Sequence, residues 1–197
     1  MIIETVVTTL EANGDPNFAA MGVVWGEETI TVRPFTNTRT YRNLVRSGEA
    51  VVNVTDNVLI FAKSALSRET FASFPAKVVR GVVLADACRW REVRRRPRPG
   101  AGRDAVAPGR ADLGVAVVGG GELRPFSGLC RGKHAVVEAS IIASRIRFFP
   151  IAEALAEIER LDALVRKTGG ADERAAMEFI RECIGRDAVA RAGARQQ

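Results

Sequence analysis

Apolar residues come in short runs between turn formers over the first part of this chain, and at helical spacing near its end. Val6 to Thr9 reads as the end of a first strand, and Asn13-Gly14-Asp15-Pro16 as a turn by composition. Phe18 to Trp25 reads as a second strand, with small residues where a flat ligand could lie on the backbone. Glu28 to Arg33 is a third strand and Val51 to Val54 a fourth, with a short helix between them beginning near Thr38. This all-β opening with one inserted helix is not the alternation of a parallel α/β sheet. Asp112 to Val118 predicts a further strand, and Gly119-Gly120-Gly121 a flexible turn. Lys133 to Phe149 alternates weakly and predicts a long strand that Pro150 stops. After it, Ile151, Leu155, Ile158, Leu161 and Val165 recur at helical spacing. Gly169-Gly170 ends that helix, and Asp172 suits the cap of a second one carrying Met177, Ile180 and Ile184, interrupted at Gly185. Residues 150–192 therefore predict a helical hairpin, with packing rather than chemistry on its apolar faces.

The stretch from Arg33 to Thr55 holds most of the candidate chemistry. Thr36, Asn37, Thr38 and Thr40 offer side-chain hydrogen bonds ahead of a helix whose first backbone N–H groups have no helical partner. Such a helix start seats a phosphate. Arg33, Arg39 and Arg42 supply countercharge in a geometry suited to phosphate oxygens. The plainer account is a strand, a proline turn and a helix capped by Thr38. Asn53 is harder to explain away. An amide inside Val-Val-Asn-Val must find a partner or cost about 1–3 kcal/mol.

Composition narrows the classes. The 197 residues suffice for one sizeable core plus an appendage, and 47% hydrophobic content is ordinary for a globular chain. No apolar run approaches the roughly 20 residues of a spanning helix, and MIIETVV lacks the basic start of a signal peptide. Cys88, Cys130 and Cys183 are too scattered for a disulfide framework or a paired metal motif, which points to a reducing cytoplasm. The net charge of +6 is local. Cys88 to Arg110 holds eight arginines against Glu92 and Asp104, which accounts for the whole excess. Residues 91–111 thus read as an exposed arginine-rich insertion loop, either merely solvated or a patch for an acidic partner. Trp90 is its only aromatic neighbour, whereas nucleic-acid readers interleave aromatics with their basic residues.

Familiar catalytic sets are missing. His134 is the one histidine, so a histidine-rich metal site is excluded by count. There is no GxSxG nucleophile elbow and no phosphate-binding P-loop. His134 and Cys130 are weak candidates with nothing in the sequence to mark them as reactive. The catalytic residues are therefore unknown, and whether the chain is an enzyme stays open.

NFAAMGVVW, RPFTNTRTYRNL and AVVNVTDNVLIFAKSAL occur in that order between Asn17 and Leu66. Together they resemble the FMN-binding split-barrel superfamily. Within it the chain is most similar to a poorly characterised flavin-reductase-like family found in archaea and methylotrophic bacteria, over about residues 1–150. The resemblance implies a six-stranded antiparallel split β-barrel of Greek-key order over 1–149, and with the helical hairpin that the periodicity predicts over 150–197 the fold is mainly β with α additions. The resemblance also implies FMN as cofactor, redox chemistry on a small organic substrate, and a homodimer, since such sites form where two barrels meet. Ala20, Met21, Gly22 and Val23 would then line the flavin ring, and Arg33, Thr36, Asn37 and Thr38 would hold the phosphate. Tyr41 and Asn43 would support them, and Asn53 would face the ring edge. Met21 and Val23 equally suit plain core, Tyr41 a helix anchor and Asn43 an exposed helix position. The alternatives are a barrel that binds without flavin, or an acidic or nucleic-acid partner on the arginine loop.

Overall fold

The computed structural model describes residues 1–95, 106, 107, 109–126, 128 and 130–194. Among the described residues ten strands and five α-helices follow one another. Six strands close a barrel: β1 (Ile2–Leu10), β2 (Pro16–Val24), β3 (Thr29–Val32), β4 (Glu49–Val54), β7 (Arg89–Arg95) and β10 (Leu113–Glu122). Their order around the barrel is β1-β2-β3-β10-β7-β4, every pairing antiparallel. After three neighbouring strands the chain crosses to the far side of β1, which is the Greek-key order. The expected six-stranded antiparallel barrel is therefore present.

Alternation along each strand builds its core. Val7, Val23, Ile30, Val32, Val52, Val93, Leu113 and Val115 point inward and are buried together. Leu44 joins them from α1 (Arg39–Ser47), the helix between β3 and β4. Its N-cap is Thr38, whose hydroxyl accepts the Tyr41 N–H at 3.3 Å, and Gly48 ends it in the left-handed conformation at φ 71°. The short hairpin of β5 (Ser73–Pro75) and β6 (Val82–Leu84) has no counterpart in the sequence reading. Beside it, Val51 and Trp90 on the outer face of the barrel pack with Phe74, Val79 and Val83. β8 (Val106–Ala107) pairs with β9 (Arg110–Ala111).

The chain divides into two compact units, 1–55 with 68–126, and 56–67 with 127–197. The second is helical: α2 (Val58–Leu66), α3 (Arg131–Ser144), α4 (Ile151–Thr168) and α5 (Ala171–Ala194), with a short 3-10 turn over Ile146–Phe148. Val58, Ala135, Val136, Ala139, Ile158, Leu161, Val165, Met177 and Ile180 form its core. Asn57 caps α2 by accepting the Leu59 and Ile60 N–H groups at 3.1 and 3.2 Å.

Several expectations fail for identifiable reasons. The stretch from Lys133 to Phe149 is no closing strand: it runs in α3 to Ser144 and then in the 3-10 turn Ile146–Phe148. Ala135, Val136, Ala139, Ser140 and Ala143 are buried at a 3.6-residue period that the β-branched residues obscured. The helical unit therefore takes in 127–149, which the sequence reading gave to the barrel. The missing barrel strand is β7, taken from the stretch read as an arginine-rich loop. It remains a strand because Trp90, Glu92 and Val93 are buried between its arginines. Residues 96–105 and 108 of that insertion lie outside the described residues. Gly119 to Gly121 belong to β10 rather than to a turn. A Cβ on Gly121 would sit 2.4 Å from the Trp90 ring, and one on Gly120 2.6 Å from the Trp90 carbonyl oxygen. Glycine there admits the indole. Gly185 does not interrupt α5. At the start of α5, Glu173 rather than Asp172 serves the helix end, accepting the Gly170 N–H at 2.6 Å.

Candidate functional site

The barrel is not sealed evenly. β2 pairs with β1 along nine residues, from Leu10↔Pro16 to Ile2↔Val24. It pairs with β3 only through Val23↔Val32 and Val24↔Thr31. From Pro16 to Gly22 the second edge of β2 thus has no strand partner among the described residues, and its backbone groups on that side need another one. Ala20, Met21 and Gly22 lie at this opening, and Val23, paired with Val32, closes its end. Met21 and Val23 turn their side chains to the core, and Ala20 and Gly22 face outward. Ile2 and Glu4 fill the space beyond Gly22: a Cβ there would lie 2.8 Å from Ile2 Cγ2 and 3.0 Å from Glu4 Oε1.

The turn between β3 and α1 borders the same opening. Asn17, at the start of β2, donates its amide to Thr40 Oγ1 in the first turn of α1 at 3.2 Å. Asn17 and the buried Asn43 both donate to Thr9 Oγ1, at 3.2 and 3.0 Å. These bonds fix the helix start against the strand pair. The turn is also tied down elsewhere: Thr36 N–H donates to the Gly109 carbonyl at 3.1 Å, and Thr38 Oγ1 to the Phe35 carbonyl at 2.7 Å. Arg110 stands over the Phe35 ring at 4.5 Å. Tyr41 is half-buried against the barrel core.

Charge in this turn suits an anion. The first turn of α1 has no acidic residue, and its cap serves Tyr41 N–H, so the Arg39 and Thr40 amides that open the helix have no acceptor within it. Arg33 pairs with Asp112 at 3.1 Å and Arg39 with Glu11 at 3.5 Å. Arg42 donates to the Asn37 carbonyl at 3.1 Å, which leaves the Asn37 side chain exposed. The Arg33–Asp112 pair is well exposed, so it contributes little and yields readily to a ligand of higher charge.

Arg33, Thr36, Asn37 and Thr38 thus lie in one turn that the Asn17–Thr40 bond ties to the head of β2, with Tyr41 and Asn43 following on α1. Asn53 is placed elsewhere. Fully buried on the outer face of β4, it donates to the Val6 carbonyl at 2.9 Å and accepts the Leu84 N–H at 2.9 Å. Both ends of its amide hold the fold. Sequence reasoning missed Thr9 and Asn17, which organise the helix start. Their signal was polar residues inside the alternation of Thr5 to Leu10 and at the head of β2. Among the described residues no cluster of metal-ligand side chains occurs.

Comparison with known proteins agrees with this architecture. A family model described as the N-terminal domain of a protein of unknown function, DUF447, matches residues 3–107, and the remaining DUF447 model matches 130–182. The crystal structure of an FMN-bound protein of that family from Methanosarcina mazei superposes with a TM-score of 0.77 at 23% identity, over 92% of this chain and 94% of that one. The 2-nitrobenzoate 2-nitroreductase of Pseudomonas fluorescens matches at TM-score 0.50 and 16% identity, over 61% and 64%. The styrene monooxygenase flavin reductase of Pseudomonas putida S12 matches at 0.50 and 13%, over 60% and 77%. The expected split-barrel fold of flavin-reductase type is thus shown.

Proposed function

This chain belongs to the DUF447 family, and from that premise we propose that it binds FMN and uses it for redox chemistry on a small organic substrate. The observation that carries the reading is the unpaired edge of β2 bordering the capped, arginine-flanked start of α1, joined by the Asn17–Thr40 bond. In this reading Arg33, Thr36, Asn37 and Thr38, with the first amides of α1, hold the phosphate. The backbone of Ala20 to Val23 meets the edge of the ring. Met21 and Val23 hold that strand by anchoring it in the core. Bound FMN would supply the hydride and electron transfer for which the protein itself needs few reactive side chains. That accounts for the scarcity of classical catalytic groups. The FMN carried by the Methanosarcina mazei relative, aligned over nearly the whole chain, supports the same cofactor here. Cys88, Cys130 and Cys183 are not joined in disulfides, which supports work in a reducing cytoplasm.

One observation favours a second reading, a barrel that binds partners without flavin: Arg33 and Arg39 already have carboxylate partners. Titrating the protein with FMN and with FAD, read by quenching of flavin fluorescence, separates the two. FMN is expected to bind more tightly, because the site offers one phosphate seat. Equal or tighter FAD binding overturns the cofactor choice. Absence of binding by either flavin establishes the second reading.

A further inference from the structure

β7 carries two arginines on the face its pleat turns inward. Arg89 and Arg91 alternate with buried Trp90 and Glu92 and lie across from Val54 and Val52 of β4. Their guanidinium carbons stand 5.2 and 5.8 Å from the centroid of one ring, that of Trp25, which directly follows β2. Trp25 is fixed: its ring packs on the barrel core, and its backbone N–H donates to the Met1 carbonyl at 2.9 Å. Arg91 is fixed as well. It donates to the Trp90 carbonyl at 3.3 Å and runs along Gly120, where a Cβ would come within 3.1 Å of its Cδ.

Neither arginine has an ion-pair partner among the described residues; Glu122, opposite Arg89 on β10, does not reach it. The ring attracts each cation, yet two guanidinium groups beside one indole repel each other. A ligand with two negative charges relieves that repulsion. A guanidinium held over a ring keeps N–H donors for carboxylate or phosphate oxygens. Both arginines are half-buried, so the place suits a small molecule better than a nucleic-acid backbone.

We infer that Arg89, Arg91 and Trp25 form a binding site for a small dianion bearing carboxylate or phosphate groups. Trp25 lies two residues beyond Val23, so the site also names a substrate class for the proposed flavin chemistry: a carboxylated or phosphorylated small molecule. That assignment of the ligand as substrate rests on the flavin reading, whereas the anion site itself does not.

The test titrates the full chain with pyrophosphate and, separately, with succinate, read by calorimetry and by tryptophan fluorescence. Binding of at least one is expected. Arg91→Gln, which keeps the stem along β10, and the Arg89→Ala/Arg91→Ala double variant should each weaken it roughly tenfold or more, the loss of a charge-assisted bond. Pyrophosphate alone marks a phosphate ligand, and succinate alone a carboxylate. No binding of either, or equal binding by the variants, overturns the site. So does a loss caused by Arg33→Ala instead, which would place the anion at the β3–α1 turn. FMN affinity, measured on the same samples, judges the flavin reading separately: anion binding that depends on Arg91 while FMN fails to bind leaves the site standing without its substrate role.

Discussion

Glu92 is 1% exposed and faces the loop between β5 and β6. Its carboxylate accepts N–H bonds from Val78 at 2.6 Å, Val79 at 3.0 Å and Lys77 at 3.1 Å, and from the Trp90 indole at 3.4 Å. Burial pushes this carboxyl up, but the backbone donors of Val78, Lys77 and Val79 together with Trp90 outweigh it and hold it below the ordinary value of 4.5. A depressed carboxyl stabilises the fold above its unfolded value and loses that contribution as pH falls through its folded value. Glu92→Gln should therefore cost roughly 1.5–3 kcal/mol at pH 7 in urea melts, with the gap to the native chain closing as pH drops below 4.5. A gap that stays constant down to pH 3 would show that shape, not charge, is what the loop needs. At Arg33 the expected loss concerns ligand rather than fold. Its side chain is exposed and its ion pair weak, so Arg33→Ala should leave melting unchanged. It should weaken FMN about 10- to 100-fold and riboflavin far less, because one charge-assisted bond to the phosphate is removed. Equal weakening of both ligands would move Arg33 from the phosphate to the ring or the fold.

Elements here are decided as much by what crosses them as by their own residues. β10 is the clearest case. Glycine is a poor strand former, and three in succession read as a turn. The strand survives because Trp90 and Arg91 of β7 lie across those positions, at a bulge between Val117 and Gly119. Gly121→Ala should then destabilise by roughly 1–3 kcal/mol, since the added methyl meets, 2.4 Å away, a buried ring that packs on Phe74, Val79 and Val83. A chemical melt that shows no change would mean the indole is free to move. By contrast α1 was legible, because its cap and its stop are local: Thr38 bonds Tyr41, and Gly48 takes a conformation that side chains disfavour. Sequence alone misread α3, because Val136, Val137, Ile141 and Ile142 suit a strand as well as a helix. Only burial against α4 and α5 selects the 3.6-residue period.

At the scale of the molecule, the helical unit is stitched from two separated pieces of chain. α2 leaves the barrel sequence after β4 and packs with α3 and α5, before the chain returns to complete the barrel. The proposed working form is a homodimer whose assembly completes the flavin site, as the superfamily resemblance implied. Sedimentation over a range of concentrations, with and without FMN, tests it. Ligand that binds only the assembled form must favour assembly by mass action, so FMN should shift dissociation to lower protein concentration. A monomer that holds FMN tightly would refute the shared site.

Local chemistry in the sequence determined the first three strands, the fourth, the capped helix between them and the helix from Ile151, because alternation, turn residues and caps act within a few positions. It also marked the Arg33–Thr38 turn, whose hydroxyls and charges are contiguous. Tertiary structure alone decided which strand closes the barrel. β7 reads as an arginine-rich loop until β4 and β10 pair on either side of it and bury Trp90, Glu92 and Val93. It also decided that Asn53 serves the fold, since its partners at Val6 and Leu84 lie 47 and 31 residues away. Finally it set the gap in the barrel beside β2. That strand edge is open only because β3 pairs with part of its length, and no pattern within β2 itself records where the pairing stops.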